Sequence, residues 1–291
     1  MRHRSSPRAV RRDDPALDTR RLVVFFAGLV ITYLGVIAVA RPDWSQGEDA
    51  LKPIAVGIMF APTVGALAAV LLAQGRIVLG RPNRWLLAAF VPVLVIFVAT
   101  LLVGVSGGVD LHLGNALPAL LLTPVFAVVG SLTAVGEELG WRGFLWPLLR
   151  RRSTFWVSSA FLFVVWWAYH APLVFLGVYG SLGGLPAFTL AVAGFVLFVG
   201  VLTDRSASVW PSVLTHGAWN AMVIKHFSAT GSDGSHETFT GSSSLLGEFG
   251  WIAALCMLAC GLAAARWHLQ HPMTTHEAAI TTTTSSATTE A

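Results

Sequence analysis

Charge is what this 291-residue chain has least of: Asp, Glu, Lys and Arg together make up 12% of it, whereas 55% is hydrophobic and the mean hydropathy is +0.68. So little charge cannot clothe a water-soluble surface, which excludes an ordinary soluble globular domain. Cysteine is nearly missing as well. Cys256 and Cys260 are the only two, four residues apart in an apolar run. That excludes a thiolate metal site, and the apolar setting argues against a reactive thiol, so both read as small packing residues. No repeat of fixed period is present, which weighs against a transporter built from matching halves.

Long uncharged runs are abundant instead. Eight reach or approach the length that crosses a bilayer as a helix: 22–40, 54–73, 85–105, 116–136, 155–178, 185–203, 207–224 and 245–265. The expected fold is therefore all-α: a polytopic membrane protein with a bundle of about eight transmembrane helices enclosing an intramembrane active-site cavity. Residues 1–21 form a basic tail, 22–268 the membrane domain with a catalytic core at about 116–225, and 269–291 a Thr-rich tail expected to be disordered.

Arginine orders the links. Seven arginines precede the first run, and further clusters lie at Arg76, Arg81 and Arg84, at Arg150, Arg151 and Arg152, and at Arg205, in every second link. Positive residues favour the cytoplasmic side, so a multi-pass protein of the cell membrane with both termini cytoplasmic satisfies all the links. The pI of about 9.6 then reflects a basic tail beside an anionic leaflet, and no nucleic-acid partner is expected. The first run is too long for an ordinary secretory signal core, so a retained helix is expected.

Ionisable groups inside a bilayer are costly and mark sites. Glu137, Glu138 and Arg142 follow twenty-one residues without charge. Four-residue spacing puts Glu138 and Arg142 on one helical face, where they can pair, and turns Glu137 about 100° away. His170 lies four residues after Trp166, and His216 four before Asn220. Two antiparallel helices joined at 150–153 would bring Glu137 and His170 to one depth. Each of these groups has a plainer reading: a helix-end ion pair, a core histidine bonded to a carbonyl, or a polar pair joining membrane helices. Together they are the parts of a hydrolytic site. Glu137 is suited to be general base, and the histidines to hold a divalent metal or to bond the developing oxyanion. The residues leave both mechanisms open. Trp141, Trp146, Trp156 and Trp210 read as interfacial anchors, and Asp204, Lys225, His226 and Glu248 as end residues reaching headgroups.

In order, "EELGWR", "WAYH" with Trp166 ahead of His170, and "HGAWN" resemble the EExxxR, FxxxH and HxxxN motifs of the CPBP family of intramembrane proteases, which includes the CAAX prenyl endopeptidases. The resemblance covers about 116–225 and departs at Trp166, where Phe is usual. It implies an intramembrane endopeptidase acting on a membrane-associated, prenylated or peptide substrate. Glu137 would activate water, Glu138 and Arg142 would support it, His170 and His216 would complete the site, and Asn220 would contribute to the oxyanion hole. It further implies either a divalent metal, zinc, held by Glu137, His170 and His216, or a metal-free glutamate mechanism. A catalytically idle binding or immunity protein of the same fold is the second reading; a proton-coupled transporter using the same groups as a relay is the third.

Overall fold

The computed structural model describes residues 15–227 and 238–272. Arg2, Arg4, Arg8, Arg11 and Arg12, most of the "TGSDGSHETFTGSSS" link and the tail from 273 onward lie outside the described residues. The described residues are mostly helical, joined by short irregular links, with one two-residue pairing of Asp110–Leu111 with Phe239–Thr240. Among the described residues seven helices are long and apolar enough to cross a membrane, which makes the chain an all-α polytopic membrane protein.

In chain order the helices are α1 (Pro15–Ala40), α2 (Ala55–Ala73), α3 (Val91–Val105), α4 (Leu113–Glu138), α5 (Trp146–Arg150), α6 (Phe155–Phe175), α7 (Leu185–Ser206), α8 (Trp210–Ala218) and α9 (Trp251–Gln270). Single-turn 3-10 segments at Arg84–Leu86 and Ala88–Phe90 extend α3 backward, and a π-helical stretch, Leu139–Leu145, fuses α4 to α5. A second π-helical stretch, Trp219–His226, extends α8.

The boundaries depart from expectation in two places. The first helix begins at Pro15 rather than near 22, because proline suits the first helical turn and because Arg21 is neutralised within the helix by Asp18, 2.7 Å away. The run 207–224 falls short of the seven long helices, although it still carries the chain from the arginine-rich end at Arg205 to the opposite end at Lys225. It forms the nine residues of α8 and the eight of the second π-helical stretch, mostly buried, packed on α4 and α7 and shielded from lipid by them.

The arginine-rich links meet at one end of the bundle. Asp18 accepts from Arg21 and, at 3.0 Å, from Arg152, tying the start of α1 to the turn before α6. Asp204 near the end of α7 accepts from Trp146 at 2.8 Å and Arg150 at 3.0 Å, and Arg205 donates to His268 of α9 at 2.8 Å. Asp204 thus turns inward to its own neighbours, and Trp146, 1% exposed, is a core residue, not an interfacial anchor. Its indole is covered because Asp204 offers the N–H a partner inside the protein.

Close helix approach rests on glycine where two backbones meet. A Cβ on Gly217 of α8 would run into the Ala127 carbonyl and Ser131 of α4, and one on Gly261 of α9 into Gly194 of α7. The α4–α8 contact is the one that sets His216 against Glu138. Gly217→Val is therefore expected to destabilise the bundle by about 1–3 kcal/mol through overpacking, read as a lower melting temperature of the detergent-solubilised protein.

Candidate active site

Two motif carboxylates end α4 just where the helix widens into its π-helical stretch, a distortion that often marks functional sites. Gly140 permits it, since its Cα lies against Pro62 of α2 where no side chain fits. Glu137 and Glu138 then face different neighbours, as their helical spacing predicts.

Glu138 is wholly buried. Its Oε1 accepts from Arg142 Nη1 at 3.2 Å and from His216 Nδ1 at 2.9 Å. Arg142, equally buried, lays its guanidinium over the Trp166 ring at 4.9 Å and the Phe195 ring at 5.8 Å, so aromatic faces share in stabilising a cation removed from water. Glu138 and Arg142 are thus the paired group expected, with an addition spacing did not reveal: Glu138 also fixes His216.

Glu137, 2% exposed, uses one oxygen for support. Its Oε2 accepts from Trp166 Nε1 at 2.8 Å and Trp141 Nε1 at 3.2 Å. Its Oε1 has no partner among the described residues, and the side chain lines a cavity of about 140 Å³, room for several waters. His170, His216 and Asn220 line the same cavity, so the four groups that the sequence brings forward from three separate helices do converge. The Glu137–Trp166 bond, with the cavity that Glu137 shares with His170, puts these groups of α4 and α6 at a common level, as the hairpin geometry predicts.

Both histidines are held through Nδ1, His170 by the Trp166 carbonyl at 2.9 Å and His216 by Glu138. A carbonyl and an ionised carboxylate only accept, so Nδ1 carries the proton in each ring and a neutral ring presents an Nε2 lone pair. Asn220 makes no hydrogen bond among the described residues and keeps its amide donors for a ligand.

Such Nδ1 anchoring is the usual setting of a metal-binding imidazole. Among the described residues no three of His, Cys, Asp and Glu form a cluster that could hold a metal ion.

Trp141 is a correction. Expected at the interface, it is fully buried, donates to Glu137 and meets Tyr169 edge-on at 5.5 Å. Its position four residues after Glu137 is the signal that identifies it. Tyr169 donates to the Ile58 carbonyl of α2. Glu248, expected at headgroups, instead lines the cavity, accepting from Trp219 Nε1 at 2.8 Å and from the Tyr179 hydroxyl. Burial, reinforced by the Glu248 carboxylate, pushes Tyr179 well above the usual phenol range and keeps it a donor. No local pattern in the sequence announces Glu248.

Removing one partner of the buried pair leaves the other uncompensated. Arg142→Met is expected to cost about 3–5 kcal/mol, and the double variant Arg142→Met with Glu138→Leu to recover part of that loss, measured by thermal unfolding in detergent.

The comparisons with known proteins bear on this segment. Residues 114–222 match the family model described as Type II CAAX prenyl endopeptidase Rce1-like, and no curated protein matches the chain. The matched segment runs from the start of α4 into the second π-helical stretch and holds Glu137, Glu138, Arg142, His170, His216 and Asn220. The match over residues 114–222 supports the CAAX-protease-like, or CPBP, family to which the three motifs point.

Proposed function

We propose that the protein is an intramembrane endopeptidase in which Glu137 activates the hydrolytic water without a metal. The family match supports protease activity in a membrane protein. The observation that carries the finer reading is the division of labour within one carboxylate: two indole N–H groups hold Oε2, and Oε1 faces the cavity shared with His170, His216 and Asn220.

In this mechanism Glu137 Oε1 takes a proton from water as the water oxygen adds to the carbonyl carbon of the scissile bond. Two carboxylates face one guanidinium, so the proton gained by Glu137 leaves the cluster balanced, with Glu138 still paired to Arg142. The remaining water O–H donates a hydrogen bond to an Nε2 lone pair of the His170–His216 pair, which orients the attack. Asn220 donates its amide N–H to the oxyanion. When the tetrahedral intermediate collapses, the C–N bond breaks and the Glu137 proton passes to the leaving amine.

The chain would sit in the cell membrane with both termini cytoplasmic. Support comes from the arginines at 20, 21, 76, 81, 84, 150, 151, 152, 205 and 266, which share one end of the bundle, whereas Arg41, Lys52 and Lys225 lie at the other.

Comparative membrane proteomics of wild type against Glu137→Gln tests the reading: an uncleaved membrane protein should accumulate in the variant. An unchanged membrane proteome and unchanged cell phenotypes would instead favour the idle binding or immunity protein. With a substrate in hand, Glu137→Gln should lower kcat by about 10²–10⁴. Asn220→Ala should lower it by about 10²–10³ with KM little changed. Exhaustive chelation should leave cleavage intact. Chelator inhibition reversed by zinc would restore the metal reading.

A further inference from the structure

The cavity is not centred in the bundle. Its walls come from the first turns of α2 at Ala55, Ile58 and Met59, from the first half of α7 at Ala191 and Phe195, and from the second half of α6. Its rim includes Leu51, Tyr179 and Glu248, all in connections at the arginine-poor end. Along α6, Trp166 lies about 17 Å from Phe155 by helical rise, so the cavity floor is near mid-depth. Toward the arginine-rich end the bundle is solid. Phe25, Trp141, Arg142, Phe144, Leu145 and Trp146 are each at most 2% exposed and fill the space behind Glu137.

These facts combine into one geometry: the floor of the site is mid-membrane, the arginine side is packed shut, and the rim is on the arginine-poor side. We propose that the catalytic cavity is entered from the non-cytoplasmic face of the membrane. Resting on the protease reading, this makes its substrates polypeptides presented at that face, such as translocated or outer-leaflet-anchored segments, and not proteins lipidated in the cytoplasm. The lining agrees with the chemistry of such a segment. It is mostly apolar, carries the carboxylates of Glu137 and Glu248, and among the described residues contains no Lys or Arg to hold a free C-terminal carboxylate. An internal apolar stretch suits it better than a chain end.

The side of entry can be read without a substrate. In the full chain carrying Cys256→Ala and Cys260→Ala, single cysteines are placed in the cavity by Leu51→Cys and Ala191→Cys, and on the arginine-rich end by Pro82→Cys. A membrane-impermeant thiol reagent is applied to right-side-out and to inside-out vesicles. The expected result is labelling of Leu51→Cys and Ala191→Cys from the outside, lost when the reagent is presented from the inside, and the opposite for Pro82→Cys. Labelling of the cavity positions from the cytoplasmic side overturns the proposal, as does failure of Ala191→Cys to react from either side. The protease reading is tested separately by Glu137→Gln. Outside labelling with no accumulated substrate would sink the enzyme and leave the entry side standing, and the reverse pair of results would do the opposite.

Discussion

The structure depends on keeping charged groups in the middle of an apolar bundle. A carboxylate in hydrocarbon is tolerated only if other polar groups replace the water it gave up. Here Glu138 receives a guanidinium and an imidazole, and Glu137 receives two indoles, so four side chains from α6, α8 and the π-helical stretch after α4 must point at two adjacent residues. That requirement fixes which helices touch. It accounts for Gly217 at the α4–α8 contact and Gly140 against Pro62, where backbones must come close enough for short polar side chains to meet.

The two carboxylates are treated differently because their partners differ in charge. Glu138 is bonded by a cation and a histidine and lies outside the cavity lining, so it serves as a fixed negative point around which Arg142 and His216 are arranged. Glu137 is bonded only by neutral donors, and one of its oxygens is left to the cavity. A base must be able to gain a proton without losing its place. Indole N–H groups hold Oε2 whether or not Oε1 is protonated, and this is why tryptophan at 166, where the related motif has phenylalanine, adds a hydrogen bond instead of merely preserving a ring.

Much of this architecture is legible in the sequence. Runs without charge locate seven long helices, because crossing a bilayer imposes length and apolarity on each segment independently of its neighbours. Helical spacing separates Glu137 from Glu138 and pairs Glu138 with Arg142, and the 150–153 turn brings Trp166 and His170 of α6 to the level of Glu137. The features that escape depend on tertiary partners. Trp141 and Trp146 resemble interfacial anchors, since tryptophans near an apolar run usually are; only the folded chain reveals that Glu137 and Asp204 draw their N–H groups inward. The seventh run, 207–224, gives a shorter helix covered by α4 and α7, a burial that depends on tertiary partners in the same way.

The π-helical stretches could not be read from spacing either, yet they explain why the spacing works. Both fall on a motif, Leu139–Leu145 immediately after Glu138 and Trp219–His226 around Asn220. A regular helix would carry each successive side chain onward at 100° per residue. Widening the turn rotates the later residues around the axis while the i to i+4 contacts at its start survive, as Glu138–Arg142 and Glu137–Trp141 do. The first stretch lets the chain support two carboxylates and then resume as α5, whose Trp146 and Arg150 close the arginine-rich end on Asp204. The second leaves Asn220 beside the cavity and returns Met222 and Val223 to the core. The same two distortions thus seal the bundle behind Glu137 and leave room for water in front of it.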